Sequence, residues 1–254
     1  FKQGSRFEGW VTGAPDDRYL HPFTPPVDSD PRDVAAAWLA SGGAFADAVS
    51  AQARPCALDL APRQRGMPDY AGALNYAYHR DAGKFAALRA SHATGRLGVC
   101  HIRDHVVMVE RTEDGDIAAV RTRANGLVAG DLFIDCTGFR GLLIEQTLHT
   151  GYEDWNRWLP SDRAVAVQTE SVGPPVPYTR AIAHEAGWRW HSPLQHRNGG
   201  GLVYSSRHMS DDEARAKLLR DVASTPIKDP WLVHFRTGRR LKAWNKNVVS
   251  LGLA

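Results

Sequence analysis

DLFIDCTGFRG, residues 131–141, decides how the rest of the chain is read. An apolar run closes on Asp135 and is followed at once by the small residues Cys136, Thr137 and Gly138. A strand that ends this way delivers small residues to its carboxyl end. Open α/β sheets bind ligands there, because the backbone can approach closely and donate N–H bonds. A strand that merely turns at Gly138 has the same sequence, and the spacing leaves both readings open.

Upstream of this stretch the pattern alternates with period two. LGVCHI, HVVMVERT, IAAVRT and GLVA are strand-like, with Glu113–Asp116 and Asn125–Gly126 as hairpin turns, so residues 97–138 predict a β-meander leading into a buried strand. Further back, the opening FKQGSRFEGW suits a strand, and a Pro-rich loop runs from Pro15 to Pro31. Asp30 and Pro31 then supply an N-cap and a first helical residue. The alanine-rich run to Val49 carries the helix, with a break at Gly42–Gly43. Asp81 is placed to cap a second helix bearing Phe85 and Leu88 on one face. Downstream, residues 165–204 hold more strand-like segments. Ser210 and Glu213 then have capping-box spacing ahead of a helix from Ala214 to Val222.

Composition narrows the class. The 254 residues are 43% hydrophobic and 23% charged, as in an ordinary folded chain. The net charge is +3, and apart from Arg236, Arg239, Arg240, Lys242 and Lys246 the basic residues are scattered, so no nucleic-acid footprint emerges. That cluster faces either solvent or an anionic cofactor. No eighteen-residue apolar run or charged leader is present, so the expectation is a cytoplasmic protein with no membrane partner. Cys56, Cys100 and Cys136 are odd in number and widely spaced, which predicts reduced, mostly buried thiols. The chain opens on Phe1 and closes on an unfinished strand-like NVVSLGLA, so the expectation is an internal piece of a longer protein.

GWRWHSP, residues 187–193, places Trp188 and Trp190 on one face of a strand. Such a pair serves core packing or screens a bound group. His184, His191 and His196 lie nearby, but no Asp, Glu or Cys cluster sits at ligand spacing, so no metal is expected. His101 and His105 fall in the strand-like region and are assigned to structure. No G-x-S-x-G elbow supports a hydrolase.

Taken in order, FKQGSRFEGW, His21-Pro22-Phe23, NYAYHRDAGKFAALRASHATGRLGV, DLFIDCTGFRGLLI, GWRWHSPLQHR, VYSSR and FRTGRRLKAWNKNVVSLGLA resemble the flavin-dependent tryptophan halogenases over essentially the whole chain. GWRWHSP matches the family signature W-x-W-x-I-P, with Trp188, Trp190 and Pro193 in place and Ser192 where isoleucine is usual. The resemblance implies that these residues lie near the flavin and keep substrate from it. It implies that Lys2 is the essential lysine that holds or traps an electrophilic halogen. That role wants either a desolvated neutral amine or a hydrogen-bonding ammonium. It further implies that His21 and Phe23 sandwich the substrate ring, and that Asp135, Thr137 and Gly138 line the FAD-binding domain.

The fold implied is α/β with mixed α+β character: a partial, aromatic hydroxylase-like FAD-binding fold with a β-meander and a mixed-sheet substrate domain. Residues 1–80 and 149–243 would form the substrate domain, 81–148 part of the FAD domain, and 244–254 a return strand to it. The family resemblance places a Gly-rich dinucleotide fingerprint before Phe1 and a glutamate after Ala254. The implied function is FAD-dependent halogenation of tryptophan or another indole or aromatic compound, using oxygen, chloride or bromide, and reduced FAD from a separate flavin reductase. It is compatible with a homodimer. The alternatives are a flavin-dependent aromatic monooxygenase and a non-catalytic aromatic-binding module.

Overall fold

The computed structural model describes residues 1–24 and 30–254. In chain order its strands are β1 (Gly4–Glu8), β2 (Arg18–Pro22), β3 (Val106–Arg111), β4 (Ile117–Thr122), β5 (Gly126–Ala129), β6 (Phe133–Asp135), β7 (Tyr152–Asp154) and β8 (Arg163–Thr169). There follow β9 (Thr179–His184), β10 (Gly187–Pro193), β11 (Asn198–Tyr204), β12 (Trp231–His234), β13 (Gly238–Arg240), β14 (Trp244–Asn245) and β15 (Val248–Ser250). The helices are α1 (Pro31–Ser41), α2 (Phe45–Val49), α3 (Ala53–Ala57), α4 (Ala82–Arg96) and α5 (Asp211–Asp221).

The chain divides into two compact units, Phe1–Lys84 with Ser161–His234, and Phe85–Pro160 with Phe235–Ala254. The first unit is built on one seven-stranded mixed sheet in the order β12-β8-β11-β10-β9-β1-β2. Its pairs are antiparallel except β1 with β9, which run parallel with Arg6 opposite Arg180. Val165, Val167, Leu202 and Tyr204 of the sheet are buried against Ala214 and Leu218 of α5. Ser210 fixes the start of α5: its hydroxyl accepts from the Glu213 N–H while Glu213 accepts from the Ser210 N–H at 2.8 Å, the capping box that the spacing predicts.

The second unit holds the meander β3-β4-β5, the pair β13-β7 and the sheet β14-β15-β6, in which β6 runs parallel to β15. Its core is Ile117, Leu143, Ile144 and Val248.

The helix signals hold. Asp30 Oδ1 accepts from the Arg32 N–H at 2.8 Å, and Gly42, at φ 66°, ends α1 in the left-handed conformation. Asp81 Oδ1 accepts from the Lys84 N–H at 3.1 Å. Several sequence expectations fail. The Pro-rich stretch carries β2, which pairs with β1, while its residues 25–29 lie outside the described residues. LGVCHI forms no strand: Gly98 sits at φ 69°, and the Leu97 and Val99 N–H groups both donate to the Ala93 carbonyl, so the segment caps α4 instead. Residues 133–135 form a strand that is not buried throughout, since among the described residues β6 pairs only with β15 and leaves Ile134 58% exposed. Of the thiols only Cys56 is buried. Cys100 lies beyond the α4 cap and Cys136 on the turn after β6, both exposed.

Candidate functional site

Lys2 precedes β1 and is fixed by its own backbone. Its N–H donates to the Ala77 carbonyl at 2.8 Å, and its carbonyl accepts from the Ala77 N–H at 2.7 Å. The ammonium nitrogen lies 5.4 Å from the centroid of the Phe23 ring. Burial pulls the lysine pKa below its ordinary value by penalising the charged form.

Two buried amides hold the backbone around this lysine. Gln3 Nε2 donates to the Leu60 carbonyl at 2.8 Å, and the Gln3 carbonyl accepts from the Phe23 N–H at 3.0 Å. Gln52 Oε1 accepts from the Thr24 N–H at 2.5 Å, and its Nε2 donates to the Asn75 carbonyl. Both side chains are fully buried. Gln52 therefore ties together the segment carrying Phe23 and the segment ending in Ala77. Nothing in the sequence marks either residue, because glutamine is ordinarily a surface side chain.

His21 and Phe23 line a cavity of about 730 Å³ whose walls also include Arg6, Tyr178 and Cys56. That volume is of the order that holds a small organic ligand. Lys2 meets the cavity wall through Phe23. Tyr178 donates to Asp59 Oδ1 at 3.1 Å and accepts from Arg6, and burial pushes its phenol up to about 12. Burial likewise raises the Cys56 thiol to about 11, with Asp59 adding to it.

His79 lies on the segment that Gln52 holds. Its Nε2 sits 3.1 Å from the Thr179 hydroxyl. Burial, with Lys2 acting in the same direction, lowers its pKa to about 4, so the ring is neutral near pH 7.

Trp188 and Trp190 share one face of β10, with ring centroids 6.2 Å apart and planes inclined at 58°. Gly201 lies opposite Trp190 across the ladder, and a Cβ there would fall 2.0 Å from the Trp190 ring. The glycine is what lets the indole lie flat on the sheet. Pro193 is buried at the end of β10. No ring contact or hydrogen bond among the described residues links the tryptophan pair to Lys2, His21 or Phe23.

Asp135, Thr137 and Gly138 belong to the second unit. Asp135 Oδ1 accepts from the Thr137 N–H at 3.0 Å and its hydroxyl at 2.6 Å, and Oδ2 accepts from the Leu143 and Ile144 N–H groups at 2.8 and 2.9 Å. Burial pushes this carboxyl up, but the four bonds outweigh it and hold the pKa below the ordinary range. Thr137 in turn accepts from the Leu142 N–H at 2.7 Å. Asp135 is thus spent on shaping the turn. The exposed part is the turn itself: Gly138 stands at φ 68° with open space where a Cβ would project. The basic cluster is largely neutralised within the unit, through Arg236–Asp154 at 3.4 Å, Arg239–Glu153 at 2.7 Å, Arg240–Glu145 at 2.5 Å and Lys246–Asp116 at 3.9 Å.

Among the described residues no group of three or more His, Cys, Asp or Glu could hold a metal, and no helix is long and apolar enough to cross a membrane.

A mixed α/β chain with these sheets is the architecture of flavin-dependent halogenases. The solved tryptophan halogenase of Shewanella frigidimarina superposes with a TM-score of 0.90 at 36% identity, over 99% of this chain and 50% of that one. A flavin-dependent halogenase from Xanthomonas campestris gives 0.87 at 40% identity, over 99% and 51%. The tryptophan halogenase family model matches residues 1–254, and the chain belongs to that family. It is 34% identical over 276 residues to the tryptophan 6-halogenase ThaL of Streptomyces albogriseolus, covering 100% of this chain and 51% of that protein. It is 39% identical over 202 residues to the tryptophan 7-halogenase RebH of Lentzea aerocolonigenes, covering 78% and 38%. The chain thus spans about half or less of the length of these curated relatives.

Proposed function

We propose that this chain is the central part of a flavin-dependent halogenase that places an electrophilic halogen on an indole or related aromatic ring. The observation that carries the reading is Lys2, a lysine with a lowered pKa held against the ring of Phe23 at the wall of a cavity sized for an indole.

Reduced FAD, when bound, would supply with oxygen the oxidising equivalent that converts chloride or bromide to hypohalous acid. The residues present fit such a group at the turn after β6, where Gly138 leaves open space at the carboxyl end of a strand in a parallel pair. Thr137 and Gly138 would border it, with Asp135 holding the turn in shape.

Burial makes the Lys2 ammonium easier to deprotonate, and the step proposed starts from the neutral amine. The Nζ lone pair attacks the halogen of the hypohalous acid, an N–halogen bond forms, the halogen–oxygen bond breaks, and the oxygen leaves as water with the amine proton. The aromatic carbon then takes the halogen, the N–halogen electron pair returns to nitrogen, and the ring proton restores the amine. His21 and Phe23 would hold the ring by stacking and apolar burial. Trp188, Trp190 and Pro193 would form the wall that separates it from the flavin. In this reading the first unit is the substrate domain and the second contributes to the FAD domain. In this reading the protein is cytoplasmic, takes its reduced flavin from a separate reductase, and is compatible with a homodimer.

The test is made in the full-length protein. Lys2→Ala should abolish halogenated product while oxygen consumption by reduced FAD continues. Lys2→Arg should fail nearly as badly, because guanidinium stays charged. Wild-type product yield from Lys2→Ala, or hydroxylated product formed without halide by the wild type, would overturn the proposal.

A further inference from the structure

The sheet of the first unit has a second face, behind the tryptophans. Arg189 and His191 alternate with Trp188 and Trp190 along β10 and therefore point the other way, about 7 Å apart. Across the ladders Arg6 pairs with Arg180 and Arg180 with His191, so a row of two arginines and a histidine crosses three adjacent strands. They border a cavity of about 260 Å³, lined on its other side by the loop 171–176 and the end of α5, with Thr169 and Ser224 also in its lining.

The charges around this cavity do not cancel. Glu8 is consumed by its neighbours, accepting from Arg180 at 2.7 and 2.6 Å and from Arg6 at 2.8 Å. Asp221 of α5 borders the cavity but lies 3.5 Å from both Lys217 and Arg220. Arg189 is half-buried and has no hydrogen bond or ion pair among the described residues. His191 Nδ1 is buried with no partner. A desolvated guanidinium and an orphaned imidazole nitrogen are both costly to maintain in an empty site. One ligand that accepts two hydrogen bonds and carries negative charge satisfies both.

We propose that this cavity binds a small oxyanion, a carboxylate or phosphate group, held by Arg189 in fork geometry and by a hydrogen bond from His191 Nδ1. The planar guanidinium matches two oxygens of such a group at once, and the volume suits a small anion rather than a second aromatic substrate. The site lies on the face of β10 that carries the Arg189 and His191 side chains, with Trp190 and Pro193 also in its lining, and its occupancy does not depend on flavin. Burial, then the repulsion of Arg180 and Arg189, lowers the His191 pKa and leaves the ring neutral in the empty state. A bound anion would raise it, in a setting of Arg6, Arg180, Glu8 and Asp221 side chains that the anion does not displace, so affinity should rise as pH falls.

Inorganic phosphate and acetate, titrated separately into the flavin-free full-length protein at constant ionic strength, should bind saturably, the tighter of the two marking the group as a phosphate or a carboxylate. The imidazole NMR signals of His191 should shift with the same isotherm. Arg189→Met should weaken binding at least tenfold, Arg189→Lys should weaken it less, and His191→Gln should retain binding but lose the pH dependence. Arg236→Ala, on the other unit, should match the wild type. Unmoved His191 signals under saturating phosphate and acetate would overturn the proposal, and so would chloride binding as tightly as either oxyanion. The NMR arm needs only the wild-type protein, so it decides the matter even if Arg189→Met does not fold.

Discussion

Replacing Gly201 by alanine tests whether the tryptophan wall is packed as described. The added Cβ would lie 2.0 Å from Trp190 Cη2, 2.2 Å from Cζ2 and 2.6 Å from Cζ3. Ordinary contact begins near 3.4 Å, so the ring must retreat by about 1.4 Å. The clash involves three ring atoms of one rigid group, so no small rotation clears them all. Overpacking of this kind costs about 1–3 kcal/mol, a fall in melting temperature of about 2–4 °C per kcal/mol for a chain of this size. The decisive measurement is a double-mutant cycle by urea denaturation. In a Trp190→Ala background the methyl enters vacated space, and Gly201→Ala should then cost less than about 0.5 kcal/mol. Additive effects of the two changes, within about 0.5 kcal/mol, would refute the packing argument.

Three further outcomes follow from the site geometry. Asp135→Asn turns an amide N–H₂ toward backbone donors and should destabilise the protein by about 2–3 kcal/mol. Because the folded pKa of Asp135 is depressed, its contribution is present above the ordinary carboxylate range and lost as pH falls through the folded value, so denaturation midpoints should converge with those of Asp135→Asn in acid. The Asp81 carboxyl, held down to about 2 by the Lys84 N–H and by Arg197 and His196, should titrate by NMR near that value, and Arg197→Met should move it upward. Thiol reagents at neutral pH should modify Cys100 and Cys136 readily and Cys56 only on unfolding, since Cys56 is buried and its pKa is raised to about 11; labelling of all three at one rate would contradict the structure.

What could be read in the sequence was mostly what local physics decides. Asp30, Asp81 and the Ser210–Glu213 pair cap their helices through groups only two or three residues apart, and Glu113–Asp116 and Asn125–Gly126 mark the turns of the meander, the second also held by Asp104. Features decided by partners far along the chain were illegible. Strand β2 forms within a Pro-rich stretch because β1 offers it a ladder, whereas LGVCHI has the composition of a strand and caps α4 instead. Lys2, His21 and Phe23 were legible only through the family resemblance. Gln3 and Gln52, which hold the backbone around them, carry no mark at all. Arg189 and His191 were hidden in plain view, as the alternate positions of a strand read for its tryptophans.

The parallel pairing of β1 with β9 sets a timetable for folding. Ser5 lies against Thr179, 174 positions further along the chain, so β1 and β2 cannot take their places in the sheet until β9 has been made. At ribosomal speeds of about 5–20 residues per second the first strand waits roughly 9–35 s. During that interval Phe7, Tyr19 and Trp10, which later stack together beside β9, have no surface to settle on. Closing so long a loop is entropically costly and slow. The strand that follows Lys2 therefore reaches its place in the sheet late, and slow translation or a scarcity of chaperones in an expression host should depress active yield more than it depresses the amount of chain produced.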